Sequence, residues 1–268
     1  VEARIEFICC GNFRQVHISG YIRCIEILLK ERKYETCLNM TTRALDTLNK
    51  KRNKGFLEVE EFHTLQRMTG ECYLGLQRVA KGIEILESVY TACNENRSIF
   101  NDDILRRMAR GHFLLHNFQR AVDLLQSGLN VSHIVKPQKI RLLKLLGAIQ
   151  LRQNQFTQAE ESYNYILSLM PQNPIHRTKP LTTRAWANFY AGAFRLAAQD
   201  AHQALNFDPQ NISAHLAAMT SSFKVGEFTS AAHSLANIIE IDCRHAAFSV
   251  KRNGQTSEES TFADFAAQ

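Results

Sequence analysis

The chain has 268 residues, of which 45% are hydrophobic and 22% are charged, and its formal net charge is +6. These values are ordinary for a globular protein that forms one large array or two domains. No apolar run approaches the roughly 20 residues that a membrane-spanning helix requires, so no membrane partner is expected. The mild positive charge fits either an acidic protein partner or weak affinity for nucleic acid.

The cysteines are odd in number and form no CxxC pair. They are Cys9, Cys10, Cys24, Cys37, Cys72, Cys93 and Cys243. Such scatter favours buried thiols in a reducing compartment over a disulfide framework or a zinc site. We therefore expect a cytoplasmic location, with the nucleus as the alternative, and no metal or cofactor. The sequence begins with Val1 rather than Met, and we interpret it as a fragment of a longer chain.

In chain order, the composition divides the sequence into four segments. Residues 1–48 are predicted to hold N-terminal helices and the first of about six helix pairs. Residues 49–62, with the sequence NKKRNKGFLEVEEF, form a charged linker and the most plausible hinge. Residues 63–248 hold pairs two to six. Residues 249–268 are poor in large apolar side chains and are predicted to be a flexible tail.

A turn position that is mostly aromatic recurs six times along these segments. Its residues are Tyr34, Val79, Phe118, Phe156, Phe194 and Phe228, at spacings of 45, 39, 38, 38 and 34 residues. Three residues after each comes a small residue: Cys37, Gly82, Ala121, Ala159, Ala197 and Ala231. A small position also precedes four of the turns, at Gly70, Ala109, Gly147 and Ala185. Small residues on facing sides let two antiparallel helices approach closely.

The segment from Leu181 to Ile241 repeats itself with a period of 34 residues, so that Gly192 matches Gly226 and Phe194 matches Phe228. This pattern resembles the tetratricopeptide repeat (TPR) family through a small residue, a glycine turn, an aromatic, two alanines and a proline. The residues that carry the resemblance are Ala185, Gly192, Phe194, Ala197, Ala204 and Pro209.

The resemblance implies an all-α fold, a right-handed superhelical solenoid of antiparallel helix pairs whose neighbours bury a continuous core. Insertions between pairs are expected in connections. The stretch MPQNPIHRTKP at residues 170–180 holds three prolines, and we predict an extended connection there.

The first helices of such arrays line a concave groove, and the family's spacing implies which side chains point into it. In pairs two to four these are Arg67, Arg106, Arg107, Arg110, Arg141, Lys144 and Arg152. In pairs five and six they are Trp186, Phe189, Tyr190 and Phe223. We therefore expect a groove that is basic in the middle and aromatic towards its C-terminal end. The alternative is that the arginines are merely solvated and the aromatics belong to the core.

Some TPR grooves bind the Glu-Glu-Val-Asp tails of heat-shock chaperones through a clamp of lysines, asparagines and an arginine. In the register implied by the resemblance, Thr183, Leu145, Ser213 and Ala217 occupy clamp positions here, and Arg141 alone keeps a charge. Because most donors are replaced, this departure argues against binding of such tails.

No catalytic motif is evident, and we expect no enzyme activity. His112 and His116 have the i, i+4 spacing of metal ligands but lack a third partner, and a polar helix face is the simpler interpretation. The sequence favours a protein-interaction scaffold or adaptor that belongs to a larger assembly. Its partner would carry acidic and large apolar residues. A chaperone adaptor with an altered clamp, or an RNA-binding helical array, are the alternatives.

Overall fold

The computed structural model describes residues 18–49, 56–95, 101–131, 134–171 and 174–252. These residues form twelve α-helices and no strand. The helices are α1 (Ile18–Lys30), α2 (Tyr34–Asn49), α3 (Phe56–Gly75), α4 (Val79–Glu95), α5 (Asn101–Leu114), α6 (Phe118–Leu129), α7 (Lys136–Arg152), α8 (Phe156–Leu169), α9 (Pro174–Tyr190), α10 (Phe194–Phe207), α11 (Ile212–Val225) and α12 (Phe228–Arg252). The prediction of an all-α array of helix pairs is confirmed.

The predicted register is confirmed at every turn between the two helices of a pair. The second helices α2, α4, α6, α8, α10 and α12 each begin at one of the six turn positions identified in the sequence. Two residues earlier the backbone is left-handed in all six pairs. These residues are Arg32, Gln77, His116, Asn154, Gly192 and Gly226, with φ between 58° and 90°.

The six turns also share one hydrogen-bond pattern, which ends the first helix of each pair. In the first pair, the amide of Arg32 donates to Leu29 O and the amide of Lys33 donates to Leu28 O. This is the Schellman motif, in which a left-handed residue satisfies carbonyls at the helix end. Only two of the six left-handed residues are glycine, so the turn geometry is imposed by the packing of the pair as well as by local preference.

The small residues identified in the sequence lie where the two helices of a pair touch. Ala121, Ala159 and Ala197 are fully buried. In the second pair a Cβ added to Gly70 would stand 2.8 Å from Leu86 Cγ, and one added to Gly82 would stand 3.0 Å from the carbonyl oxygen of Gly70. The backbones of α3 and α4 therefore approach too closely there for any side chain.

The chain divides into two compact bodies, residues 1–149 and residues 150–268, which we call the N-terminal and C-terminal bodies. In the N-terminal body the core of α1, α2 and α3 is built from large side chains that include Ile25, Leu48 and Leu65. In the C-terminal body the core of α9, α10 and α11 is built mainly from alanines, which are Ala185, Ala201, Ala217 and Ala218.

The connection predicted to be extended at residues 170–180 is largely helical, because α9 already begins at Pro174. A proline at the first position of a helix costs no hydrogen bond. Pro180 inside the helix removes one donor, but it lies in a buried stretch with Leu181. Burial of this face therefore outweighs the loss of one backbone hydrogen bond.

Two predicted boundaries also differ from the helix limits. Helix α3 begins at Phe56, within the segment predicted as a charged linker over residues 49–62, and α12 continues to Arg252, within the predicted tail. The basic run Lys50–Lys54, the N-terminal residues 1–17 and the tail residues 253–268 lie outside the described residues. Among the described helices, none combines the length and the apolar character that crossing a membrane would require.

Candidate functional site

The N-terminal body contains a groove of about 620 Å³ in which several predicted arginines converge. Its lining comes from α1, α3, α5 and α7. The lining residues are Glu26, Leu29, Lys30, Arg67, Met68, Glu71, Asp103, Arg106, Arg107, Gln138 and Arg141. Four of the residues predicted from the sequence, Arg67, Arg106, Arg107 and Arg141, are thus brought together.

The centre of this groove is organised by Asp103, which sequence reasoning did not identify. Its carboxylate accepts from Arg67 Nη1 at 2.8 Å, from Arg106 Nη2 at 2.8 Å and from Arg107 Nε at 3.0 Å. Arg67 stands on α3 and the other three residues on α5, so the carboxylate also ties two first helices together. Charge-assisted bonds of this kind are about twice as strong as neutral ones.

Two further carboxylates complete a charge-balanced cluster at the centre of the groove. Arg107 Nη1 pairs with the Glu71 carboxylate, and Glu26 on α1 acts electrostatically on Arg67. The side chains of Arg67 and Arg107 are each only 13% exposed. Burial alone would raise the pKa of Asp103, but Arg107, the hydrogen bond from Arg106 and Arg67 hold that pKa well below its usual range. The three arginines and three carboxylates therefore balance in charge.

The net positive charge of the groove comes from its edges. The lining holds five cationic and three anionic side chains, an excess of two positive charges. Lys30 on α1 and Arg141 on α7 supply this excess, and within the described part of the chain neither lies within ion-pair distance of a carboxylate. Arg106 adds an unused donor, since its buried Nε has no hydrogen-bond acceptor among the described residues.

The other predicted cations lie outside this lining. Arg110 on α5 and Lys144 on α7 are exposed, and neither borders the groove. Arg152 stands exposed at the end of α7 and belongs to the C-terminal body. The middle of the predicted groove is therefore ionic but neutral, rather than uniformly basic, because Glu71 and Asp103 occupy the arginine donors.

The C-terminal body brings the predicted aromatic residues of α9 together in one cluster. The Trp186 and Tyr190 rings are stacked with centroids 6.0 Å apart, and Phe189 meets both rings edge-on. The ring of Phe156 also stacks with Tyr190, with centroids 5.5 Å apart. Tyr190 is 58% exposed, so the cluster is open to solvent at this residue.

Trp186 is half-buried and is fixed by a hydrogen bond to the next helix pair. Its Nε1 donates to Ser213 Oγ on α11 at 3.2 Å, and its ring packs against the alanine core formed by residues such as Ala217. Trp186 is therefore not enclosed between α9 and α10, the two helices of its own pair. A rigid, partly exposed indole is the kind of side chain that anchors protein interfaces.

A polar network around the buried Asp200 connects α9, which carries the aromatic cluster, to the helices on either side of it in sequence. Arg184 pairs with both oxygens of Asp200, and its Nη1 donates to Asn164 Oδ1 at 2.6 Å. Asn188 Nδ2 donates to Asp200 Oδ2 at 3.0 Å. These bonds join α8, α9 and α10, so the α9 backbone that carries Trp186 and Tyr190 is held rigidly.

Phe223, the last predicted groove residue, lies apart from this cluster. It is 61% exposed at the end of α11 and meets Phe228 edge-on, with ring centroids 5.5 Å apart. Among the described ring contacts none joins it to Trp186.

The two histidines with metal-ligand spacing do not form a metal site in the described structure. His116 is the left-handed residue of its turn rather than a helical residue, so the i, i+4 geometry on one helix face is lost. The ring nitrogens of His112 are buried and have no hydrogen-bond partner among the described residues, and burial lowers the pKa of this imidazole. Within the described residues no group of three or more potential ligands occurs.

The pairing of Asp103 with Arg106 and Arg107 follows a sequence pattern that could have predicted it. Asp103 precedes Arg106 and Arg107 by three and four residues, the spacing at which side chains on one helix face meet. Glu26 and Lys30, and likewise Arg67 and Glu71, also lie four residues apart, but no local pattern shows that these helices line one groove.

Comparison of the sequence with protein-family models and with curated proteins gives no match. Solved structures are similar at low sequence identity. The C-terminal part of a TPR repeat-containing protein from Cytophaga hutchinsonii is 14% identical, with a TM-score of 0.61 over 84% of this chain and 80% of that one. MamA from Desulfovibrio magneticus RS-1 is 15% identical, with a TM-score of 0.57 over 68% of this chain and 96% of that one. The TPR resemblance seen in the residue pattern is thereby confirmed as a likeness of fold.

Proposed function

We propose that the protein is a non-enzymatic interaction scaffold that binds a protein partner with acidic and large apolar residues. The groove of the N-terminal body would bind acidic residues, and the α9 aromatic cluster of the C-terminal body would bind a large apolar side chain. The observation that carries the proposal is the groove's excess of two positive charges, held at Lys30 and Arg141 beside a fixed, neutral centre.

The distribution of charge indicates which side chains would meet the partner. Arg67 and Arg107 are committed to Asp103 and Glu71, so recruiting them would break existing ion pairs. Lys30, Arg141 and the unused Nε of Arg106 require no such exchange. A carboxylate from a partner would therefore bind at the edges of the groove, where Lys30 and Arg141 can donate to it without breaking an existing ion pair.

The acidic half of the proposal is tested with a capped hexaglutamate peptide, using hexaglutamine as its uncharged counterpart. We expect weak, salt-sensitive binding of hexaglutamate by calorimetry, weakened about two- to fivefold by Arg141→Ala and similarly by Lys30→Ala. Arg110→Ala is the matched control, because Arg110 is an exposed arginine outside the lining. Equal loss from Arg110→Ala would show that only net charge matters and would refute a defined groove.

The apolar half can be followed directly, because Trp186 is the chain's one tryptophan. A tryptophan-free peptide that carries one phenylalanine beside glutamates should shift the Trp186 emission to shorter wavelength as water is displaced. Tyr190→Ala should weaken this response, whereas Phe228→Ala, which removes another exposed aromatic of the same body, should not. An unchanged emission at saturating peptide would contradict the assignment of Trp186 as an anchor site.

Binding of single-stranded RNA would change the proposed partner from a protein to a nucleic acid. Basic grooves bind phosphate backbones with a steep dependence on salt concentration. RNA binding that Arg141→Ala and Lys30→Ala abolish, in the absence of hexaglutamate binding, would replace the protein partner by nucleic acid.

A further inference from the structure

One side of α12 exposes an apolar residue at a position that the other second helices bury. The position lies seven residues after the first residue of each of these helices. In α12 it holds Leu235, which is 46% exposed. In α2, α4, α6, α8 and α10 it holds a buried residue, in turn Thr41, Leu86, Leu125, Tyr163 and Ala201. Among the described residues, α12 therefore lacks a cover that its five counterparts have.

Leu235 belongs to an apolar stripe along this side of α12. Phe228, Ala232, Leu235 and Ile239 follow one another at steps of four, three and four residues, which places them on one helix face. All four residues are exposed, and the exposed fraction of Ile239 is 55%. We call these four residues the α12 stripe. Contiguous exposed apolar surface of this kind marks an interaction site.

The equivalent side of α10 is covered by the first helix of the next pair. The 34-residue period aligns Leu235 with Ala201 and Ile239 with Leu205. Ala201 packs with Ala217 of α11 in the alanine core, and Leu205 packs against the same core. Each pair of such an array buries its outer side against a neighbour. The α12 stripe therefore has the position and the apolar character of a surface that packs against a helix.

We propose that the α12 stripe binds the α12 stripe of a second copy of this chain, with the two helices antiparallel and related by a two-fold axis. Two-fold dimers are the commonest protein oligomers, and their interfaces must be self-complementary. This inference is independent of the proposed function, because it uses neither the groove nor the α9 aromatic cluster.

The sizes of the side chains are self-complementary in this arrangement. When the two-fold axis lies level with the midpoint between Leu235 and Ala236, Leu235 faces Ala236 of the second copy. Ile239 then faces Ala232 of the second copy. Both alanines are exposed, so each large side chain meets a small one and the two helices can interdigitate at close range.

The charges beside the stripe favour the same arrangement. His233 and Glu240 are exposed and lie on one flank of the stripe, because seven residues make almost two full turns. They stand about 10 Å apart along their own helix, beyond the spacing at which helix neighbours pair. In the antiparallel dimer, His233 lies within about 3 Å, measured along the helix axis, of Glu240 of the second copy. A parallel dimer in register would instead place each of these residues beside its own copy.

The expected dimer is weak. One helix–helix contact of about four turns is smaller than the interfaces of more than about 2,000 Å² that obligate dimers form. We therefore expect a Kd on the order of micromolar, so that dilution into the nanomolar range yields the monomer.

The first test measures the mass of the whole chain by sedimentation equilibrium from nanomolar to submillimolar concentration. Leu235→Asp should raise the dimer Kd about tenfold or more, because it places two carboxylates in the apolar contact. Leu115→Asp is the matched control, since Leu115 is 43% exposed in the N-terminal body, and it should leave the Kd unchanged. A monomer at every concentration, or equal effects of the two variants, would overturn the proposal.

A charge exchange keeps the test decisive if Leu235→Asp perturbs folding. His233→Glu should raise the Kd about three- to tenfold, because it places a carboxylate beside Glu240 of the second copy. Adding Glu240→Lys to this variant should restore the Kd to within about twofold of the wild type. A double variant that stays as weak as His233→Glu would contradict the antiparallel register.

Cross-linking measures the orientation directly. In the antiparallel dimer Phe228 faces the exposed Cys243 of the second copy, whereas the two Cys243 residues lie about 22 Å apart along the helix axis. A short bismaleimide should therefore join position 228 to Cys243 between copies of Phe228→Cys, as peptide mapping would show. A link between the two Cys243 residues of the wild type would refute this orientation.

The chain's own residues 253–268 are another occupant that the sedimentation experiment detects. An unchanged Kd after deletion of these residues supports the second copy. If the whole chain is a monomer and the deletion produces the dimer, residues 253–268 cover the stripe and the proposal is wrong.

Discussion

In the N-terminal body, α3 and α5 face the groove with arginines and carboxylates, whereas in the C-terminal body α9 presents Trp186, Phe189 and Tyr190. Both bodies use the same helix pair, with the same turn and the same small residues at the helix contact. The two bodies therefore differ in side chains other than the turn residues and small residues that every helix pair shares. An array of this kind can change the chemistry of its surface without changing its fold.

The two bodies also hold their first helices by different means. Asp103 joins α5 to α3 through Arg67 at the groove surface, while the buried Asp200 joins α10 to α9 and Arg184 joins α9 to α8. The Asp103 side chain is 22% exposed and that of Asp200 is 9% exposed, so a partner can compete more readily for the first carboxylate. Substitutions in both networks test this contrast.

The largest effect is expected at these two aspartates. Asp103→Ala should lower the free energy of unfolding by about 3 kcal/mol, because it leaves Arg67 and Arg107 mostly buried with one carboxylate fewer. Asp200→Ala should cost a similar amount in the C-terminal body. The measurement is urea unfolding, and Glu84→Ala on an exposed face of α4 should stay within about 0.5 kcal/mol of the wild type.

The pH dependence of stability provides a second readout of Asp103. Its folded pKa lies below the ordinary value, so its contribution is present at neutral pH and is lost as the pH falls below about 5 towards the lowered pKa. Asp103→Ala should remove that part of the acid sensitivity. If the folded variant also bound hexaglutamate more tightly while Asp200→Ala did not, the freed arginines would be identified as the cause.

The small-residue contact should respond to overpacking. Ala159 is fully buried at the start of α8, so Ala159→Leu should destabilise the chain by about 1–3 kcal/mol. Thr157→Leu adds a large side chain two residues earlier on an exposed face and is the matched control. Equal melting temperatures for the two variants would show that the packing register of this pair is misassigned.

Substitutions at the left-handed turn residues should change the free energy of unfolding by smaller amounts, with opposite signs at Gln77 and Gly192. Gln77 is exposed and left-handed, so Gln77→Gly should stabilise the chain by about 0.5–1 kcal/mol by relieving backbone strain. Gly192→Ala should destabilise it by about 1 kcal/mol, although the added methyl group meets no atom within 4 Å. Calorimetric melting of both variants tests the pair, and shifts of the same sign would contradict the strain argument.

A weaker pH effect is expected at His112, because burial disfavours the charged form of its imidazole. Its pKa is lowered, so the unfolded chain binds a proton more readily than the folded chain. Its contribution to stability is complete above the ordinary value of 6.5 and is lost as the pH falls through the lowered folded pKa. His112→Gln should flatten the decline in melting temperature between about pH 7.5 and 5.5, and an unchanged slope would place the titration elsewhere.

The smallest effect is expected from the chaperone-tail peptide. Thr183, Ser213 and Ala217 replace clamp donors, and Ser213 already accepts the Trp186 indole N–H. A peptide that ends in Glu-Glu-Val-Asp should therefore show no binding by calorimetry at physiological salt, because its carboxylates would be desolvated without compensation. Micromolar affinity would restore the chaperone-adaptor alternative.

The helix pairs, their register and their turns could be predicted from the sequence. A turn position that starts a helix and a small residue three places later are local constraints, and they hold wherever two helices pack closely. For this reason Tyr34, Val79 and Phe118 could each be assigned without knowledge of their neighbours in space. The prediction of an extended connection at residues 170–180 was wrong. Burial of Leu181 and its surroundings outweighed the low helix propensity of the prolines.

Which polar side chains meet depended on tertiary packing. Arg67 is 36 residues from Asp103, and Trp186 is 27 residues from Ser213. No periodicity in the chain encodes these partners, because they depend on how successive pairs stack. The arginines of the groove could be identified in the sequence. The net charge of the groove, however, depends on the carboxylates that packing brings within 3 Å of them. Packing leaves Lys30 and Arg141 as the two positive charges in excess.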